Sequence, residues 1–195
     1  MNLTALNYNP LATIDDSSCT YQMTYVPDDN FEQALINLGY DNVLDDSVIT
    51  AHINTVTSLT VSSENISDLT GIEDFTALTT LNCSWNNLTS LDVSQNSNLN
   101  SLAFGGNHIS QIDLSNNIYL DTLWADNNLL TSLNLSLNTE LEYIDCNANQ
   151  LTSLDVRNGN NSNITVNFLT TGNPNLYCID VDDPVFMQSW WSGGI

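Results

Sequence analysis

The sequence predicts an α/β-type solenoid. Coils of one length stack on each other, a parallel β-sheet lines the concave face, the convex side is irregular, and a short cap closes each end. Three observations predict it. Leu78, Leu99, Leu120 and Leu141 stand 21 residues apart and each opens the pattern L-x-x-L/I-x-φ-x-x-N-x-L/I, where φ is a small or apolar residue. Within each phrase the apolar residues alternate with period two, the signature of a strand with one face buried. An amphipathic helical pattern precedes the repeats, and an aromatic run follows them.

The front cap comes first in the chain. Pro27-Asp-Asp-Asn30 precedes Phe31, Ala34, Leu35 and Leu38, an i, i+3, i+4, i+7 stripe ended by Gly39, with acidic residues where a helix N-terminus favours them. A first, irregular unit follows with Val56, Leu59, Val61, Ile66 and Leu69. It is 22 residues long and has Glu64 where the later units have Asn.

The four regular phrases then run Leu78, Leu81, Cys83, Asn86, Leu88; Leu99, Leu102, Phe104, Asn107, Ile109; Leu120, Leu123, Ala125, Asn128, Leu130; and Leu141, Ile144, Cys146, Asn149, Leu151. Each continues into more apolar positions, such as Leu91 and Val93 or Leu133 and Leu135. One such unit cannot bury its own apolar face, whereas stacked units bury a continuous core. Leu81 and Cys83 therefore point inward while Thr80, Asn82 and Ser84 point out. Asn86, Asn107, Asn128 and Asn149 fall where the chain leaves the strand, and an inward carboxamide there supplies donor and acceptor to backbone groups lacking ladder partners.

These residues resemble the leucine-rich repeat family, and most closely its short bacterial, internalin-like forms. The resemblance implies that Leu69-Thr-Gly-Ile-Glu-Asp-Phe-Thr-Ala-Leu78 is a helical connection, and that the domain is secreted or displayed on a bacterial surface. Five coils are expected. The next phrase should open at Ser162, but the nearest apolar residue is Ile164, so the register through Phe168, Leu169 and Leu176 stays open. Leu176 to Asp183, then Pro184, Phe186, Trp190 and Trp191, predict a last strand and a short helical lid. Asn7 to Cys19 resembles a cysteine-bounded module of bacterial surface proteins that normally opens with a further Cys, which suggests a truncated or miscalled start. The expected organisation is a partial module or linker over 1–24, a helical cap over 25–55, repeats over 56–161, and an irregular last repeat with C-terminal cap over 162–195.

Composition narrows the partners. Twenty-three acidic residues face a single basic one, Arg157, for a formal net charge of −22 on 195 residues. Phosphate affinity comes from Lys and Arg, so nucleic acid and anionic membranes are excluded. With 42% apolar residues in register the chain buries enough surface to fold, and self-repulsion favours a monomer. No stretch reaches the roughly 18 apolar residues of a membrane span, and Met1-Asn-Leu-Thr has no signal-peptide character.

Candidate chemistry is sparse. Cys83 and Cys146 share a repeat position three coils apart, about 14 Å at the rise of a parallel sheet, and are expected as core residues rather than a disulfide. Neither they nor Cys19 and Cys178 form a CxxC metal spacing. His52 and His108 have no nucleophile placed beside them by the repeat, and no phosphate loop, dinucleotide fingerprint or nucleophile elbow occurs. No enzyme activity and no cofactor are expected. Asp92, Asp113 and Asp155 recur at one position, with Asn134 completing the row, either as a hydrated outer ladder or as a Ca²⁺ strip. Asn9, Asp15 and Asp16 offer further oxygens, without EF-hand spacing.

Recognition is the remaining class. Outward residues differ from coil to coil while the core repeats, and Trp124 and Tyr143 fall on adjoining strands. The candidate ligand-binding patch is Asn82, Ser84, Trp85, Trp124, Asp126, Tyr143 and Asp145, suited to a protein or carbohydrate ligand. The alternative is a passive spacer in a larger surface protein, stiffened by calcium.

Overall fold

The structure is a computed structural model that describes residues 6–7, 19–164 and 167–185. Most of the expected N-terminal module, residues 8–18, lies outside the described residues, as do Phe186, Trp190 and Trp191 of the expected lid. Among the described residues no helix is long and apolar enough to cross a membrane.

The chain enters through strand β1 (Met23–Tyr25), which pairs antiparallel with β2 (Ser47–Ile49). Between them runs helix α1 (Asp29–Asn37), and a single helical turn, α2 (Thr50–Ile53), follows. Phe31, Ala34 and Leu35 are buried, with the Phe31 ring 6.4 Å from that of Phe75 in the first coil. Leu38, expected on the apolar stripe, caps the helix C-terminus and is 46% exposed, because the chain turns away at Gly39 before a further helical turn can cover it.

Two carboxylates fasten this cap. Glu32, fully buried, accepts the N–H groups of Asp45, Asp46 and Ser47, which together line the turn into β2. Asp28 caps α1 by accepting from the Asn30 and Phe31 N–H groups with one oxygen, and with the other accepts from the N–H groups of Ser67 and Asp68 and the Ser67 hydroxyl. One side chain thus ties the helix to the first coil. Burial alone would push its carboxyl up. The Ser67 hydroxyl and N–H, with the N–H groups of Phe31 and Asp68, outweigh burial and hold it below the usual carboxylate range.

The solenoid is built on six short parallel strands: β3 (Ser58–Thr60), β4 (Thr80–Asn82), β5 (Ser101–Ala103), β6 (Thr122–Trp124), β8 (Tyr143–Asp145) and β10 (Asn167–Leu169). They pair in that order and in one register, which aligns Leu59, Leu81, Leu102, Leu123, Ile144 and Phe168 across the inner face. The coil expected from the fifth phrase is therefore present. Its Asn173 accepts from the Leu151 N–H and donates to the carbonyls of Cys146 and Thr170. It was displaced from the 21-residue period by an inserted 3₁₀ turn at Asn161–Asn163. The connection expected to be helical in the first coil shortens to a 3₁₀ turn at Ile72–Asp74.

The convex side is irregular in the early coils only. Further along, β7 (Ser132–Asn134), β9 (Ser153–Asp155) and β11 (Ile179–Asp180) form a second parallel sheet, in the order β11-β9-β7. The expected last strand over Leu176–Asp183 thus reduces to two residues, and those belong to this sheet.

Buried carboxamides join the coils at both bends. At the strand exit Asn86 accepts from the Glu64 and Ile66 N–H groups and donates to the Val61 and Cys83 carbonyls; Asn107, Asn128 and Asn149 each repeat the scheme against the coil before. A second row, absent from the sequence expectations, lies at the turn returning to the concave side. Asn96, Asn117 and Asn138 are almost wholly buried, and each donates to carbonyls of the preceding coil, including that of the preceding row member where there is one. Asn158 continues the row by donating to the Asn138 carbonyl.

Two outcomes follow. Asn128→Ala orphans the Ile109 N–H and leaves the Phe104 carbonyl with Asn107 as its side-chain donor, and chemical denaturation should show a loss of about 1–3 kcal/mol, on the scale of one stranded buried group. Asn87→Ala, at an exposed position beside Asn86, should cost under about 0.5 kcal/mol. The depressed Asp28 value means its stabilisation is complete above the unfolded value, about 3.9, and is lost as pH falls through the folded one. Melting curves from pH 7 to pH 3 should accordingly fall less steeply in Asp28→Asn than in the parent.

Candidate functional site

The outward residues of the concave sheet form rows across the strands, and the rows leave a gap. One row runs Thr60, Asn82, Ala103, Trp124, Asp145, Leu169. In the third coil, Ala103 and then Gly105 present almost no side chain, while the coils on either side carry Trp85 and Trp124. A groove of about 480 Å³ results, walled by the two tryptophans and lined also by Asn82, Ser84 and Asp126.

Trp85 reaches this position through a costly backbone. It sits at φ +58°, where the next two coils place Gly106 and Asn127 at +71° and +52° and a later one Ala148 at +51°. Left-handed backbone costs an L-residue roughly 1–2 kcal/mol, least for Gly and Asn and more for a bulky side chain. The indole is 61% exposed and lies against Gly106, where an added Cβ would come within 2.5 Å of the ring. Glycine in one coil therefore makes room for tryptophan in the coil before it.

On the other wall the rings of Trp124 and Tyr143 stand 5.1 Å apart at 45°. Asp126 leans over Gly105, where a Cβ would meet its carboxylate, and accepts from the Asn127 side-chain amide at 2.6 Å. Asp145 is half-buried and accepts from the Asn147 N–H. Burial pushes its carboxyl above the usual range; the Asn147 N–H holds it back, and the charge of Asp126 adds to the rise.

Of the seven residues in the expected patch, Asn82, Ser84, Trp85, Trp124 and Asp126 line this one groove. Tyr143 and Asp145 lie one strand beyond, joined to it through Trp124 and Asp126. Sequence reasoning missed the floor, Ala103 and Gly105, and the seat at Gly106. The signal was present in the alignment of phrases: the smallest outward residues of any coil stand between two tryptophans.

The acidic row on the convex side has a local explanation. Asp92 and Asp113 accept from the N–H two residues on, at Ser94 and Ser115, and those N–H groups lead the causes that hold both carboxyls below the usual range. Asn134 makes the same turn with Ser136. Asp155 is engaged by the Arg157 side chain and N–H. Among the described residues no group of three or more His, Cys, Asp or Glu side chains is placed to hold a metal ion.

The cysteines are all free thiols. Burial pushes those of Cys83 and Cys146 up to about 12, so neither is a nucleophile near neutral pH. His52 meets the Tyr40 carbonyl in the cap, and His108 is exposed beyond the strand exit of the third coil.

Parallel strands of one register, inward leucines and carboxamide-lined bends define a leucine-rich repeat solenoid. Within that class the chain is similar to internalins. Over 73 residues it is 40% identical to internalin J of Listeria monocytogenes, a match covering 37% of this chain and 8% of that protein. The solved functional domain of internalin J, described as including a cysteine ladder, superposes with TM-score 0.67 at 33% identity, over 83% of this chain and 38% of that one. Here the two buried cysteines are separated in their row by Phe104 and Ala125. Two further Listeria monocytogenes internalin structures share the fold: InlF, with TM-score 0.53 at 24% identity over 68% of this chain and 50% of that one, and InlC2, with 0.50 at 18% over 84% and 89%. No protein-family model matches the chain. The chain spans well under two thirds of internalin J.

The glycine seat is directly testable. Gly106→Ala places a Cβ against the Trp85 ring at a left-handed position, so denaturation should show a loss of about 1–2 kcal/mol. Tryptophan emission should shift as the ring is displaced; an unchanged spectrum would contradict the seating.

Proposed function

We propose that this domain is a non-enzymatic binding module of a bacterial surface or secreted protein, taking a protein or carbohydrate ligand on its concave face. The observation that carries this reading is the groove between Trp85 and Trp124. Trp85 is exposed and Trp124 partly so, and apolar surface gathered in a groove with a polar rim marks interaction sites. Aromatic anchors with a polar rim are the residues on which binding energy concentrates. Here the rim is Asn82, Ser84 and Asp126.

Backbone strain supports the same reading. Trp85 holds a conformation that Gly or Asn adopts at lower cost, and strain of this kind concentrates at sites that use it. The coil itself has no need of an indole there, since Gly106, Asn127 and Ala148 complete the same bend.

The purified domain should be applied to arrays of glycans and of peptides differing in charge. Ligands retained by the parent should lose tenfold or more in affinity, on the order of 1.4 kcal/mol, in Trp85→Ala and in Trp124→Ala. Tyr119→Ala, an exposed aromatic outside the groove, should leave them unchanged. Undiminished binding in both tryptophan variants would remove the groove from the function.

A further inference from the structure

We infer that the groove takes a cationic side chain of a basic, extended protein segment, an arginine seated between Trp85 and Trp124 and paired with the carboxylate of Asp126, with the charge of Asp145 one strand beyond adding to the attraction. The inference rests on the concave groove being the binding face and adds the chemistry of its occupant. Three independent features converge on a cation.

The first is the carboxylate pair. Asp126 lines the groove, and Asp145 stands on the adjoining strand in register with Trp124, where the charge of Asp126 adds to the rise of the Asp145 carboxyl. Among the described residues the salt bridges are those of Arg157 with Asp155 and Asp180, on the convex side, so neither Asp126 in the groove nor Asp145 one strand beyond has a salt-bridge partner among those residues. A neutral sugar would hydrogen-bond these oxygens and leave their repulsion in place. A cation removes it.

The second is the aromatic lining. Indole faces carry the negative lobe of their quadrupole outward, and tryptophan is the best partner for a cation held over a ring. A guanidinium suits the site better than an ammonium, being planar enough to stack on an indole while its edge reaches a carboxylate with two parallel bonds. The Ala103–Gly105 floor leaves this face open, and the volume of about 480 Å³ matches side chains rather than a folded domain.

The third is charge on the scale of the whole chain. A formal net charge of −22 with one basic residue draws positively charged partners by long-range attraction and repels acidic ones. That field selects the class of partner, and the groove selects the residue within it.

The test uses the blocked peptide acetyl-(Gly-Arg)₃-amide, the same peptide with citrulline for arginine, and neutral chitohexaose, followed by tryptophan fluorescence and calorimetry at low and physiological salt. The arginine peptide should bind saturably, at least tenfold tighter than the citrulline peptide. Asp126→Asn with Asp145→Asn should weaken it tenfold or more. Asp92→Asn with Asp113→Asn, which removes the same two charges from the convex side and keeps a side chain that Asn134 shows can make the turn, should weaken it less than twofold. Equal losses in the two double variants, or equal binding of the citrulline peptide, would overturn the inference. Preferential binding of chitohexaose that depends on Trp85 would overturn it too, while leaving the groove as a carbohydrate site. Binding of every probe unaffected by Trp85→Ala and Trp124→Ala would overturn both this inference and the reading on which it rests.

Discussion

Each coil leaves its concave strand by a bend that turns backbone N–H and C=O groups toward a dry interior, and the architecture depends on those groups finding partners there. Water is excluded by the leucine rows, so the partners must come from the chain. A carboxamide is neutral and carries a donor nitrogen and an acceptor oxygen on separate atoms, so it can bond an N–H and a C=O of different coils at once, which is why Asn occupies this position in the stack. An Asp would bring a charge into the core, and a Ser lacks the reach to span two coils. The row at the strand exit both donates and accepts, and a second row at the opposite bend donates, so the coils are bonded on both sides of the leucines.

From that bonding the concave face inherits its geometry. Because every strand holds the same register, outward side chains fall into rows, and a change of size at one position of one coil becomes a gap in a wall. Gly105 and Gly106 make such a gap, and Trp85, Trp124 and Asp126 close around it. The core residues of the third coil are as regular as its neighbours'. The site is thus a local departure on the outer face of an invariant frame.

The sequence carried the frame openly, because a period of 21 residues repeats every inward leucine and the exit-row carboxamides from Asn86 to Asn149. Asn173 was hidden by the three-residue lengthening around Asn161–Asn163, which breaks the count without breaking the bonding. The second row, Asn96, Asn117 and Asn138, was equally periodic but lay outside the phrase, where Asn is common in ordinary turns and gives no sign of burial. Convex strands were illegible for another reason: Leu91 and Val93 have the same alternation as Leu133 and Leu135, yet only the later coils form the ladder. At the site, aromatic and carboxylate residues were legible as outward-facing. What escaped was emptiness, since glycine and alanine signal a groove only once their neighbours are known.

Every carboxamide bond reaches only to the adjoining coil or within its own, so releasing a terminal coil breaks nothing deeper in the row. At the front, Asp28 fastens the cap to the first coil with three hydrogen bonds, and it and Glu32 hold the cap itself together with five more. The rear coil has a partly buried Phe168 in place of a sealed leucine. The tryptophan groove is set on the first four coils, so release of the rear coil, bonded through Asn173 to the coil before it, leaves the groove's own bonds intact.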